Sequence, residues 1–340
     1  MKSSINLRLE RRHWLRGLGL AGLALGATLS ASSVLAQAGA TRWQPVKPIR
    51  MVVNLPPGTA MDSIARALAT PMQEALGQQV IIDNRAGAGG LIGGDLVAKS
   101  APDGYTLLAT PGSLMAIVPS VYEKTPFDPN KDLAPVGGTA RALLFLVAKP
   151  SVPANNIQEF IRYLQANPGK YSYGSAGNGS SPHLAGEMFK RDAGVNTVHV
   201  PYKGTAPALQ DLLAGQLDYN FDAGAGVEHM RTGRLKLFAI GNATRSSLFP
   251  DVPTLQEAGL KDFDASTTYG IYAPAGTPDH IVARLNEEIN KALHQKVVRD
   301  RITALGAEVV SGTPADLART NQEDGKRFGA IARALNIRPD

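Results

Sequence analysis

Tyr171-Ser172-Tyr173-Gly174-Ser175-Ala176-Gly177-Asn178-Gly179-Ser180-Ser181-Pro182-His183 sets the pattern of the whole chain. Alternating residues end a β-strand. Three glycines and four short polar side chains then make a loop. Ser181-Pro182 opens a helix, with Ser as N-cap and Pro at the first helical position. Leu184 and Met188 carry the helix on to Gly194. So little side-chain bulk leaves N–H groups accessible, and a helix N-terminus behind them suits an anion. A lone Gly/Ser loop is also a common flexible connection. Against that stands repetition, because the same strand, small loop and helix recur along the chain and the copies can converge on one cleft.

Upstream, residues 49–54 form an apolar run followed by the loop Pro56-Pro57-Gly58-Thr59-Ala60-Met61-Asp62. Ile64, Leu68, Met72 and Leu76 recur at spacing four and predict a helix that stops at Gly77, kinked or divided by Pro71. Residues 80–83 read as the next strand, followed by Arg85-Ala86-Gly87-Ala88-Gly89-Gly90 and a short helix. Residues 105–110 are a strand, and Pro111-Gly112-Ser113 opens onto another apolar helical stretch. Downstream of the central loop come a strand at 197–200, the turn Pro201-Tyr202-Lys203-Gly204-Thr205-Ala206-Pro207, a helix to Gly215, and strands at 217–221 and 235–240. The alternation predicts an α/β fold with mainly parallel sheets flanked by helices. Apolar runs at 142–148 and 267–273, each followed by prolines, read as two hinge crossovers between two lobes. Lobe 1 is then residues 39–145 and 270–340, and lobe 2 residues 146–269.

Residues 1–38 read as an export signal. Arg8, Arg11, Arg12 and Arg16 precede a weakly apolar run, with cleavage expected between Ala36 and Ala38. Arg11-Arg12-His13-Trp14-Leu15-Arg16 resembles a twin-arginine motif, with Glu10 where Ser or Thr is usual. The segment holds five of the 35 basic and one of the 29 acidic residues, which leaves a net charge of +2 for the rest. That balance, without a basic run carrying aromatics, gives no support for nucleic-acid binding. No later stretch is apolar enough to span a membrane. The chain has no cysteine, which excludes disulfides, thiol nucleophiles and thiolate metal sites.

Other chemistries fit poorly. Gly87-Ala88-Gly89-Gly90-Leu91-Ile92 has Ile92 where a dinucleotide site needs its third glycine, and no stretch matches a P-loop. Tyr173-Gly174-Ser175-Ala176-Gly177 lacks the first glycine of a nucleophile elbow. Ser175 or Ser180 with His183 and Asp222 would make the triad of an exported α/β hydrolase, the alternative function. No two of the histidines at 183, 199, 229, 280 and 294 have metal-ligand spacing, so neither metal nor cofactor is expected. His183 stands apart because it sits in the first turn of the cleft helix.

Taken in order, Lys47-Pro48-Ile49-Arg50, Asn84-Arg85-Ala86-Gly87-Ala88-Gly89-Gly90, Ala101-Pro102-Asp103-Gly104-Tyr105-Thr106-Leu107-Leu108, the central Tyr173-to-Ser181 stretch, His199-Val200-Pro201-Tyr202-Lys203-Gly204 and Ala273-Pro274-Ala275-Gly276-Thr277-Pro278 run through the whole sequence after the signal. This ordered set resembles the Bug-type receptors, the extracytoplasmic solute-binding component of tripartite tricarboxylate transporters. The resemblance implies a two-lobed periplasmic-binding-protein fold of type II. It implies a monomeric, non-enzymatic periplasmic receptor that captures a small carboxylate. Its expected partners are the large and small membrane subunits of a permease, with a sensor as the alternative client. By the same resemblance the carboxylate is held by two loops. One carries Gly58, Thr59, Ala60, Met61 and Asp62; the other carries Ser175, Asn178, Gly179, Ser180, Ser181 and then His183. Ser113, Tyr202, Lys203 and Asp222 are expected nearby. Where the family has a Pro-Gly-Gly run before the Asp, this chain has Pro57-Gly58 followed by Thr59-Ala60-Met61-Asp62, with Thr59 offering a hydroxyl and Met61 an apolar wall.

Overall fold

Ile49-Arg50-Met51-Val52-Val53 is buried at every position but Arg50, as a strand covered on both faces must be. The computed structural model describes residues 42–122, 124–335 and 337, so the expected export signal lies outside the described residues. The chain divides between Trp43 and Gln44, and every described helix and strand lies in the second unit. The first elements are β1 (Ile49–Val53), α1 (Ala60–Leu76), β2 (Val80–Asn84), α2 (Leu91–Ala98), β3 (Thr106–Thr110), α3 (Ser113–Ala116), α4 (Val118–Val121), α5 (Pro129–Asp132) and β4 (Leu133–Ala142). Then come β5 (Phe145–Ala148), α6 (Ile157–Gln165), β6 (Ser172–Ser175), α7 (Ser181–Ala193), β7 (Val198–Pro201), α8 (Thr205–Leu213), β8 (Tyr219–Asp222), α9 (Val227–Arg231) and β9 (Lys236–Ile240). The chain finishes with β10 (Thr267–Pro274), α10 (Asp279–His294), α11 (Lys296–Ala304), β11 (Glu308–Val309) and α12 (Pro314–Ala334).

Two sheets result, one per lobe. Their orders are β11-β4-β10-β3-β1-β2 and β7-β6-β8-β5-β9. The expectation of mainly parallel sheets needs correcting. Parallel pairing holds for β1 with β2 and β3, and for β6 with β7 and β8. β10 is antiparallel to β3 and β4, and β5 is antiparallel to β8 and β9. β11 is also antiparallel to β4. β10 and β5 are strands that arrive from the other sheet. They come without a returning crossover helix, so nothing forces them parallel.

The crossings also differ from the expected hinges. The chain changes sheets at residues 143–144 and again between β9 and β10, over residues 241–266. The apolar runs at 145–148 and 267–274 are β5 and β10 themselves, buried at every residue. A fully buried central strand and an apolar linker look alike in sequence. Asn242 ties the two crossings together. Its Oδ1 accepts from the Leu144 N–H at 2.9 Å and its Nδ2 donates to the Ala142 carbonyl at 3.0 Å. The Gly241 N–H donates to the Leu144 carbonyl at 2.7 Å, and the Ala265 N–H to the Gly241 carbonyl at 2.9 Å.

The helix of spacing four is α1, with Ile64, Leu68, Met72 and Leu76 fully buried and Gly77 as a left-handed C-cap. Pro71 does not divide it. The lost N–H bond costs about 3 kcal/mol, and each fully buried side chain on this face contributes about 1.5–3 kcal/mol. Packing wins. At the other end of the chain, α12 packs Phe328 and Ala332 into one apolar cluster with Ile117 and Val121 from the first sheet's lobe and Leu184 from α7. Arg327 on α12 donates to Asp264 in the second crossing, and Arg141 on β4 does so at 3.0 Å. Burial would raise the Asp264 carboxyl, but the two guanidiniums and Ser266 hold it below its ordinary value.

Replacing Asn242 strands a buried backbone N–H and a buried carbonyl together. Asn242→Ala is therefore expected to cost about 2–4 kcal/mol in urea unfolding. A loss under about 0.5 kcal/mol, within the usual scatter of surface substitutions, would show that water replaces the amide.

Candidate functional site

The loops that follow parallel strands gather at the carboxyl ends of both sheets, where α/β folds bind ligands. β6 delivers Ser175, and residues 176–180 lead into α7. Gly177 and Gly179 take positive φ, +110° and +75°. A Cβ on Gly177 would approach the Tyr202 carbonyl to 3.1 Å, so the loop is pressed against the next turn. α7 begins one residue earlier than its Ser-Pro pair suggests. Ser180 is the N-cap, accepting from the His183 N–H at 3.4 Å, and its hydroxyl donates to the Gly177 carbonyl at 2.6 Å. Ser181 lies inside the helix, its hydroxyl 3.2 Å from Thr267 on β10 of the other sheet.

Beneath the loop lies a stack of rings. Ser175 Oγ sits 2.7 Å from His199 Nε2 and accepts from the Gly177 N–H at 3.1 Å. The His199 ring lies parallel to His183, centroids 4.1 Å apart, and against Tyr173 at 4.9 Å. His183 Nδ1 accepts from the Gly179 N–H at 3.2 Å. Tyr173 donates to Glu187 at 2.7 Å, and Lys190 does the same at 2.7 Å. Burial opposes ionisation of Glu187, yet these donors keep its carboxyl below the ordinary range. Burial and the facing His183 push His199 down to about 4. His199 is thus a neutral partner that fixes Ser175.

The first loop is braced by its own side chains. Thr59 caps α1, accepting from the Asp62 N–H and donating to the Pro56 carbonyl at 3.0 Å. Asp62 accepts from the Gly58 N–H at 2.9 Å, Asn84 at 2.9 Å and Arg66 at 3.1 Å. Against the cost of burial, these bonds hold Asp62 below its ordinary value. Met61 is fully buried and so offers no wall to a ligand, while Gly58 is exposed and Ala60 half-buried. The hydroxyl of Thr59 is likewise already in use.

The structure brings the remaining expected residues to the same cleft with different roles. Gly204 faces Pro56 of the first loop, where an added Cβ would lie 3.7 Å away. Tyr202 turns aside to donate to Asp211 at 2.6 Å, and Lys203 is exposed. Ser113 is buried at the start of α3, beside Gly112, which packs on Thr267 and Thr268. Asn178 is half-buried, and Gly179 meets Val121 and Tyr122 from the other lobe. Asp222 accepts through Oδ1 from the N–H groups of Gly224 and Gly226 at 2.8 and 2.9 Å. Ser175, Ser180, His183 and Asp222 therefore do not form the triad that a hydrolase would need. Thr267 and Tyr122 carry no mark in the sequence that would assign them to the site, and His199 is marked only within the ordered set that carries the resemblance. The register that sets Tyr173 against His199 is the signal that places one of them.

Comparison with known proteins gives a consistent picture. A family model described as "Tripartite tricarboxylate transporter family receptor" matches residues 64–337. Periplasmic binding protein BugD is similar at 33% identity and a TM-score of 0.81, covering 87% of this chain and 100% of its own. An R. palustris protein solved with adipate gives 32% identity and a TM-score of 0.83, covering 87% and 99%. MatC from Rhodopseudomonas palustris, with bound malate, gives 35% and 0.79, covering 84% and 99%.

The His199 value has a consequence for stability. It lies below the ordinary 6.5, so on acidification the unfolded chain takes up this proton first. Stability from this residue is complete above pH 6.5 and is lost as pH falls toward about 4. At about 1.4 kcal/mol per pH unit the ceiling is about 3 kcal/mol, and solvent screening of this half-buried ring brings the loss below it. Thermal melts of His199→Gln are expected to fall less steeply between pH 6.5 and 4 than those of the native protein. Parallel slopes would place the titration elsewhere.

Proposed function

The chain belongs to the tripartite tricarboxylate transporter receptor family, and from that premise we propose that it is an exported periplasmic receptor for a small carboxylate. It hands its ligand to the large and small membrane subunits of a tripartite permease and performs no reaction. It works as a monomer. Its two lobes, between which the chain crosses at residues 143–144 and 241–266, close over the ligand by bending at these crossings.

One observation carries the reading. The 175–181 loop stands at the N-terminus of a 13-residue helix, is free of Lys and Arg, and holds Gly177 and Gly179 in backbone conformations that other residues rarely adopt. Neutral donors and a helix terminus are sufficient to hold a carboxylate. The adipate and malate carried by the two R. palustris relatives fit that chemistry. Asp62 and Thr59 brace the opposite loop, whose Gly58 and Ala60 are open enough to reach a ligand.

A thermal-shift screen over mono-, di- and tricarboxylates tests this. One acid is expected to raise the melting temperature, and its methyl ester is not. Equal shifts from acid and ester would defeat the proposal. Asn178→Ala is expected to weaken binding of that acid about ten- to a hundredfold, the range for a hydrogen bond to a charged group.

Export follows the twin-arginine route in this reading, with residues 1–38 as the signal. Exchange of Arg11 and Arg12 for Lys is expected to leave precursor in the cytoplasm. Normal export of that variant, followed by immunoblot of cell fractions, would show that the pair is incidental.

A further inference from the structure

Between α12 and the elements α3, α4, α5 and β4 runs a groove of about 520 Å3, within the roughly 300–1,000 Å3 common for small-molecule sites. Among the described residues, none from either cleft loop lines it. Its floor is apolar, with Met115, Ala116 and Leu133 buried. Its rim on α12 is basic. Lys326 and Arg333 are exposed there, seven residues and so about 10 Å apart along one side of the helix. Among the described residues neither has a carboxylate partner, and no Asp or Glu lines the groove. Arg327, one position on from Lys326, is by contrast tied to Asp264 and Asp324.

Two further features mark the groove as built for an occupant. Asn321 is only 8% exposed, and its Oδ1 accepts from the Tyr272 hydroxyl at 3.1 Å. That bond sets the amide plane and leaves Nδ2 for the groove that Asn321 lines, where no described residue accepts from it. The second feature is Gly325, in the middle of α12, where a glycine weakens a helix. Packing accounts for its neighbour but not for Gly325 itself. A Cβ on Gly329 would lie 2.7 Å from Ser120 Oγ, whereas one on Gly325 would meet nothing within 4 Å. The helix gives up stability there and gains only open space.

We propose that this groove binds a small organic anion with an apolar body, such as an aromatic or branched carboxylate, at a second site separate from the cleft. Lys326, Arg333 and the Asn321 amide supply donors for the anion, and charge assistance makes such bonds strong. Met115, Ala116 and Leu133 cover the apolar body. An inorganic anion would leave that floor bare. A neutral apolar molecule would leave two cations and a buried NH2 group unanswered. The cleft holds its ligand with neutral dipoles and this groove with side-chain charge, so each site is lost to different substitutions.

Calorimetry on the native protein tests this with benzoate and isovalerate as probes, against sulfate for charge alone and benzamide for an apolar body alone. At least one acid is expected to bind with a Kd below about 1 mM, and about tenfold or more tightly than sulfate or benzamide. Lys326→Gln combined with Arg333→Gln is expected to weaken that binding about tenfold or more. Gly325→Leu, which fills the groove, is expected to do the same, while Asn178→Ala in the cleft leaves it unaltered. Gly325→Leu is also expected to melt no lower than the native protein, because Leu is the better helix former and its side chain enters open space. Binding that survives the groove variants overturns the second site and leaves the receptor reading intact. Binding of neither acid, or of sulfate as tightly as the acids, also overturns it. So does a Gly325→Leu protein that melts well below the native one, since the glycine then serves the fold. If the double variant fails to fold, Gly325→Leu gives the same readout alone.

Discussion

Two lobes share one chain, and the passage between them is held by very few atoms. The first crossing spends only residues 143–144 between two buried strands. Backbone groups in such a passage have no neighbouring strand to pair with, and they are too buried to use water. Asn242 supplies the missing donor and acceptor from a single amide, and Gly241 completes the pair of crossings. The strands that run from this knot are β4 and β10 in one sheet and β5 and β9 in the other, and through β10 and β5 they pair with strands that end in the cleft loops.

Acidic side chains in and beside the cleft loops are paired off. Asp62 is consumed by Arg66 and Asn84, Glu187 by Lys190 and Tyr173, and Asp264 by Arg141 and Arg327. These are structural pairs, partly buried and fully hydrogen-bonded, and they brace the elements that present the site. Backbone and small polar side chains are left to face the cleft. A site made of dipoles binds an anion without the desolvation cost of burying a counter-charge. It also releases the anion more readily than an arginine clamp would, which suits a carrier.

Much of this is legible from residues close together in sequence. The spacing of Ile64, Leu68, Met72 and Leu76 defines α1, because helical periodicity is local. The strand–loop–helix at Ser175 is legible for the same reason, to within one residue at its cap. The hidden part is non-local. The partner of Ser175 is His199, 24 positions away on a neighbouring strand, and only the register of β6 with β7 joins them. The crossing strands pass for linkers because an apolar run carries no mark of which sheet it enters. The family resemblance puts Met61 and Thr59 at the ligand, whereas burial and cap chemistry claim them first.

The central position of β10 has a consequence for how the molecule is made. In the first sheet β10 lies between β3 and β4, so those two strands cannot pair with each other. Until residue 274 has left the ribosome, each keeps an open edge of unpaired N–H and carbonyl groups, a template for the wrong neighbour. The second sheet has no such delay, since all five of its strands lie between residues 145 and 240. The lobe written first is thus the lobe finished last. An export pathway that waits for a folded cargo would give this chain the time its strand order demands.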